Sequence, residues 1–228
     1  MLQQIPQETF PFLKDLKRHN NREWFNEHKT EFKQIEANVK SCYEYLGGLL
    51  RKHDRIDRIK VFRIYRDVRF SKNKLPYKTH FGGAFHRIKP HLRGGYYLHL
   101  EPDDKSFIGI GFWEPNKEDL FRIRKEFEAD DTEIRTILKD ANFKKVWGNF
   151  RGNTLKTAPR GFNKQHKAID LIRRKQFIFS RTFTDEDVHH KDFLQEVDHA
   201  FAIARPYFNY MSEVLTTNLN GESILDRL

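Results

Sequence analysis

Asp67, His80 and His99 are the residues of this 228-residue chain best suited to moving a proton, and the first two stand within or beside a run dense in cations and rings. Carboxylates and imidazoles take up and return protons when a reacting atom comes within hydrogen-bond reach. Around them lie Arg63, Arg66, Arg69, Lys72, Lys74 and Lys78, with Phe70 and Tyr77 interleaved. Guanidinium and ammonium groups beside flat faces suit phosphate, carboxylate or a nucleobase. A second such run, residues 155–162, adds Lys156 and Arg160, and Tyr97 offers one more ring. The chemistry expected of this set is capture of an anionic, phosphate-containing small molecule in a basic and aromatic pocket, with catalysis by Asp67, His80 or His99 as an added option. Arg66, Arg69, Lys78, Lys156 and Arg160 are the expected donors if the two runs meet at one anion.

These side chains need elements to hold them. Residues 61–68 alternate in a way that predicts a strand, with Phe62, Ile64, Arg66 and Val68 on one face and Arg63, Tyr65 and Asp67 on the other. Arg66 then shares a row with apolar residues, where a guanidinium calls for a carboxylate or a bound anion. Pro76 removes an amide donor and turns Leu75 away from helical angles, so residues 69–78 read as a loop. The plainer alternative is a solvated basic loop with Arg66 paired to a structural carboxylate.

Upstream, Thr9 and Pro11 start a short helix. Asn20 or Asn21 then caps a long one whose stripe runs Phe25, His28, Phe32, Ile35, Val39, Cys42, Leu46 and Leu49. On that stripe Cys42 reads as an inert buried thiol and His28 as a core histidine. Gly82-Gly83 reads as a bend or a close approach to a ligand. Residues 96–101 and 106–113 form an antiparallel hairpin around Pro102-Asp103-Asp104-Lys105, with Tyr97, His99 and Glu101 on one side of the first strand. Gly109 and Gly111 leave a notch between Phe107 and Trp113, for a packed helix or for a ligand. Helices follow from Asn116 and from Asp131 or Thr132, then an aromatic connection through Phe143, Trp147 and Phe150, a strand over 176–183, and a last long helix kinked at Pro206. The expected fold is α+β: a single domain over 1–228, with a small, mostly antiparallel sheet packed against several helices, the N-terminal and C-terminal ones long.

Four motifs in order, Asn20-Asn21-Arg22-Glu23-Trp24-Phe25, the run from Arg63 to Lys78, Gly94-Gly95-Tyr96-Tyr97-Leu98-His99-Leu100, and Leu155-Lys156-Thr157-Ala158-Pro159-Arg160-Gly161-Phe162, carry a resemblance over most of the chain. The sequence resembles the uncharacterised domain-of-unknown-function family 2461. The resemblance implies kinship and brings no catalytic residue with it. One departure is Leu75, where Thr is expected before Pro76.

Lysine and arginine outnumber the acids 42 to 32, for a net charge of +10, which makes nucleic acid an alternative partner through the same basic loops. No zinc-finger spacing, RNP-like strand or lysine-rich tail supports it further. A second alternative is a protein-interaction or scaffold module in which the arginines form a structural network. A single cysteine excludes an intrachain disulfide and multi-cysteine metal cages, and fits a reducing cytoplasm. Neither a signal segment nor a membrane-spanning run is read. His189, His190 and Asp192 tempt a metal reading, but adjacent histidines diverge on a helix, so neither metal nor cofactor is expected.

Overall fold

A computed structural model describes residues 2–69, 72 and 74–225; Phe70, expected as a ring beside the cations, lies outside them. Helix α1 (Thr9–Arg18) buries Phe10, Phe12, Leu13 and Leu16, and is preceded by Glu8 at the capping position instead of Thr9. The expected long helix is divided into α2 (Arg22–Glu27) and α3 (Lys29–Leu50). Asn21 caps α2 by accepting from the Trp24 amide at 2.9 Å. At the break, the His28 ring bonds to the Trp24 carbonyl through Nδ1 at 2.8 Å and stacks on the Trp24 indole at 4.0 Å. That carbonyl also accepts the ordinary helical bond from the His28 amide, so ring and backbone share it where α2 gives way to α3. The apolar stripe survives the break, with Phe25, Phe32, Ile35, Val39, Cys42 and Leu46 all buried.

Five strands follow in one antiparallel sheet of order β1-β2-β3-β4-β5: β1 (Ile56–Val61), β2 (Phe81–Arg87), β3 (Gly95–Leu100), β4 (Ser106–Phe112) and, after helices α4 (Lys117–Ala129), α5 (Thr132–Lys139), α6 (Ala141–Trp147) and α7 (Ile169–Ile172), β5 (Phe177–Phe183). The α6 segment was expected as an irregular connection; Asp140 caps it by accepting from the Phe143 amide at 2.8 Å. The last helix is three: α8 (Asp185–His189), α9 (Phe193–Ile203) and α10 (Arg205–Thr216). Thr184 and Asp187 close a capping box on α8, and Pro206 stands in the first turn of α10, where a missing amide costs nothing, instead of kinking a continuous rod.

By packing, the chain divides into two compact units, Met1–His86 with Tyr97–Ile108 and Thr182–His199, and Arg87–Tyr96 with Gly109–Arg181 and Ala200–Leu228. In the first, α3 covers one sheet face: Tyr43 stacks on Phe85 at 5.9 Å and donates through its hydroxyl to the Leu98 carbonyl at 2.9 Å. Successive strand residues alternate faces, so Gly82, Tyr97, His99 and Phe107 occupy the side away from Tyr43. The Gly82-Gly83 pair is neither a bend nor a bare ligand floor. Gly83 leaves room for the Tyr43 ring, and Gly82 for the Tyr97 hydroxyl, which would lie 2.5 Å from an added Cβ.

In the second unit, buried Arg87 donates to the Arg93 carbonyl at 2.7 Å and to Ser212 Oγ at 3.1 Å, with its guanidinium over the Phe208 ring. Tyr207 donates to the Phe177 carbonyl at 2.7 Å. Gly111 has a φ of +116°, and a side chain there would strike the Phe177–Ile178 backbone. At Gly111, then, the expected notch meets neighbouring strand backbone.

Candidate functional site

The strand expected over 61–68 lies upstream instead, as β1 (Ile56–Val61), so that Val61 alone of the expected span belongs to it; yet the alternation persists beyond. Ile64 is 1% exposed, Phe62, Arg66 and Val68 are half-buried, and Arg63, Tyr65 and Asp67 are exposed. Beyond β1 the chain runs out and returns as a narrow ribbon, in which the Arg66 amide donates to the Pro76 carbonyl at 2.9 Å and the Lys78 amide to the Ile64 carbonyl at 2.8 Å. Tyr65 and Tyr77 face one another as an antiparallel bridge. Asn20 pins the return strand by two bonds to the Tyr77 backbone, both 3.1 Å, and Phe25 stacks on the Tyr77 ring at 4.0 Å. Two motifs distant in sequence thus form one support. Tyr77 is 4% exposed as a result, so its ring holds the ribbon and offers little surface to a ligand.

The ribbon delivers its cations unevenly. Asp67 is exposed and engaged by Arg69, whose Nε and terminal nitrogen donate to it at 3.0 and 2.7 Å; this bond holds the Asp67 carboxyl below its usual range. Lys72 and Lys74 are exposed, and Lys74 donates to the Val68 carbonyl at 3.0 Å. Lys156 and Arg160 are exposed side chains of the second unit. Lys78, Arg63 and Arg66 are different. Lys78 is half-buried, donates to the Arg63 carbonyl at 3.0 Å, and has its ammonium pushed toward the neutral form, first by burial and then by the charges of Arg63 and Arg66. Among the described residues no carboxylate comes within ion-pair distance of Arg63 or Arg66.

Beside these cations, β2 and β3 bring His80 and His99 together, ring centroids 4.3 Å apart. His99 is 7% exposed, stacked on Phe107 at 4.6 Å. Its Nε2 lies 2.8 Å from the Glu101 carboxylate and its Nδ1 3.1 Å from the Tyr97 hydroxyl. A carboxylate only accepts, so Nε2 carries the proton, Nδ1 accepts, and Tyr97 donates: one directed chain from Tyr97 through His99 to Glu101. His80 Nδ1 stands 4.0 Å from the same carboxylate, and the ring makes no hydrogen bond to a described residue. Burial, then His99, and more weakly Lys78 and Arg66, push the His80 pKa down to about 4 against the pull of Glu101. Burial lowers that of His99 against its bond to Glu101, and raises that of Tyr97. Both imidazoles are accordingly neutral near pH 7, with the phenol protonated. One ligand atom each from His80, His99 and Glu101 lies within 4.8 Å of the others.

Glu101 is the residue whose role was missed, although the alternation of residues 97, 99 and 101 already placed it in line with Tyr97 and His99. A hollow in the second unit holds none of the expected residues. It is lined by Glu126, Glu133, Tyr210 and Glu213 around Arg122, whose guanidinium is committed to Glu126 at 2.6 Å and to the Thr217 and Asn218 carbonyls.

Fold and site define an α+β protein with a basic ribbon feeding a histidine–glutamate cluster on an antiparallel sheet. The chain belongs to the family described as conserved hypothetical protein, domain of unknown function 2461, whose model matches residues 8–210. No curated protein and no solved structure matches it.

Proposed function

We propose that this protein binds an anionic, phosphate-containing small molecule beside His80, His99 and Glu101, and that these groups act chemically on it. The observation that carries the reading is half-buried Arg66, with no described carboxylate within ion-pair distance, next to a desolvated Lys78 whose ammonium also feels the Arg63 charge. Clustered cations of this kind repel one another, and a polyvalent anion relieves that repulsion while accepting their hydrogen bonds. Phe62 forms an apolar wall, with the Lys60 and Lys78 ammonium groups 5.4 and 5.8 Å from its ring centre. The donors come from the ribbon alone; Lys156 and Arg160 are not needed. Neutral imidazoles and a protonated phenol supply acceptor and donor groups beside such an anion.

Thermal unfolding with inorganic phosphate and simple phosphate monoesters tests this. Binding only to the folded state raises the midpoint in proportion to occupancy. A rise is expected for the native protein, reduced by Arg66→Ala and by Lys78→Ala, and kept by Lys72→Ala. Equal stabilisation of all four proteins, or none of the native one, rejects the reading.

A further inference from the structure

We infer that His80, His99 and Glu101 form a binding site for one divalent first-row transition-metal ion, a zinc-like dication with open coordination positions beside the ribbon cations. Nitrogen, nitrogen and carboxylate oxygen are the donor set for such an ion, and three protein ligands leave positions for water or a ligand. Ligands about 2.1 Å from a shared tetrahedral ion stand roughly 3.4 Å from one another. His99 Nε2 and Glu101 Oε2, now hydrogen-bonded at 2.8 Å, need only part slightly to reach it. His80 Nδ1, at 4.0 Å from the same oxygen, closes the remainder by turning its ring, which no described hydrogen bond restrains.

The surroundings agree with that assignment. Ligating histidines are oriented by a partner on the other ring nitrogen, and the Tyr97 hydroxyl at 3.1 Å from His99 Nδ1 is placed for it. On binding, the single His99 proton resides on Nδ1 and is donated to the Tyr97 oxygen, leaving Nε2 for the ion; no proton is gained or lost. Phe107 covers the His99 ring and keeps water from its face. The cost of such a site is repulsion from Lys78 and Arg66, the cations whose charges reach His80. An anion in the open positions lowers that cost, so metal and phosphate should strengthen each other's binding; this last point alone rests on the function proposed above.

The test uses the full chain stripped with a chelator, titrated with Zn²⁺ by calorimetry and with Co²⁺ by visible absorption. One ion per chain is expected, with affinity lowered at least about 100-fold in His80→Ala and in Glu101→Gln, and unchanged in His190→Ala. His80→Ala decides the matter if Glu101→Gln fails to fold, because His80 makes no described hydrogen bond; circular dichroism in chelator checks its fold. No saturable binding, or equal affinity in native protein and His80→Ala, overturns the site. Phosphate binding to the chelated protein without metal binding overturns the site and leaves the anion reading standing. Metal binding without any phosphate response keeps the site and removes the anion reading.

Discussion

His80 and His99 are held neutral by burial, and that sets a pH dependence for folding. The unfolded His80 titrates near 6.5 and the folded one near 4, so between these values the unfolded chain binds more protons. The stabilisation is complete above about pH 6.5 and is lost as the pH falls toward 4, with His99 acting in the same direction. Allowing for the partial exposure of its ring, His80 accounts for roughly 1–2 kcal/mol of that loss. Denaturant unfolding from pH 7 to 4, in chelator, should therefore give a steeper fall for the native protein than for His80→Ala. Parallel curves refute the assignment. This part of the site was half legible in the sequence. Period-two spacing aligned Tyr97, His99 and Glu101, but the arrival of His80 depends on pairing between two strands, which no local pattern encodes. Arg66 was legible as a cation in an apolar row; the absence of a described carboxylate beside it was not.

Among the elements, strand alternation proved more durable than strand boundaries. Residues 62–68 keep their inside and outside rows after the sheet hydrogen bonds stop, because Ile64 still packs beneath the ribbon and the Tyr65–Tyr77 bridge keeps the backbone extended. Helix boundaries were harder to read. The apolar stripe through His28 is continuous, yet the rod is interrupted there, where the ring as well as the amide bonds the Trp24 carbonyl. Likewise Pro206 fits a helix start as well as a kink, and sequence spacing does not choose between them. Gly82, read as part of a bend or a close approach to a ligand, instead sits in β2 and makes room for Tyr97. An alanine there places its Cβ against the phenolic oxygen, nearer than to any ring carbon. Gly82→Ala should cost about 1–3 kcal/mol and swing the hydroxyl away from His99. In a Tyr97→Phe background the same change should cost less, since the clashing atom is gone. Equal costs in both backgrounds, from urea unfolding, would show that the hydroxyl does not occupy the space above Gly82.

For the whole molecule, the family match over residues 8–210 takes in nearly all of both compact units, whereas the candidate site draws on the first alone. The net charge of +10 belongs to the entire surface, with cations such as Lys72, Lys156 and Arg160 exposed in different parts of the chain. Those two facts separate the ligand classes. A polyanion meets many scattered charges and releases counterions from each contact, so its affinity falls steeply with salt. A small phosphate compound held by Lys78, Arg63 and Arg66 meets a few partly desolvated donors, which salt screens less. Mixed-sequence DNA or RNA should accordingly bind measurably near 20 mM salt and lose on the order of 100-fold by about 200 mM. Replacing exposed Lys72, Lys156 and Arg160 together should weaken that binding, and His80→Ala should leave it unchanged. Phosphate stabilisation should persist at the higher salt. Nucleic-acid binding that survives 200 mM salt and disappears with Arg66→Ala would instead make the ribbon a nucleic-acid contact and transfer the site to that class.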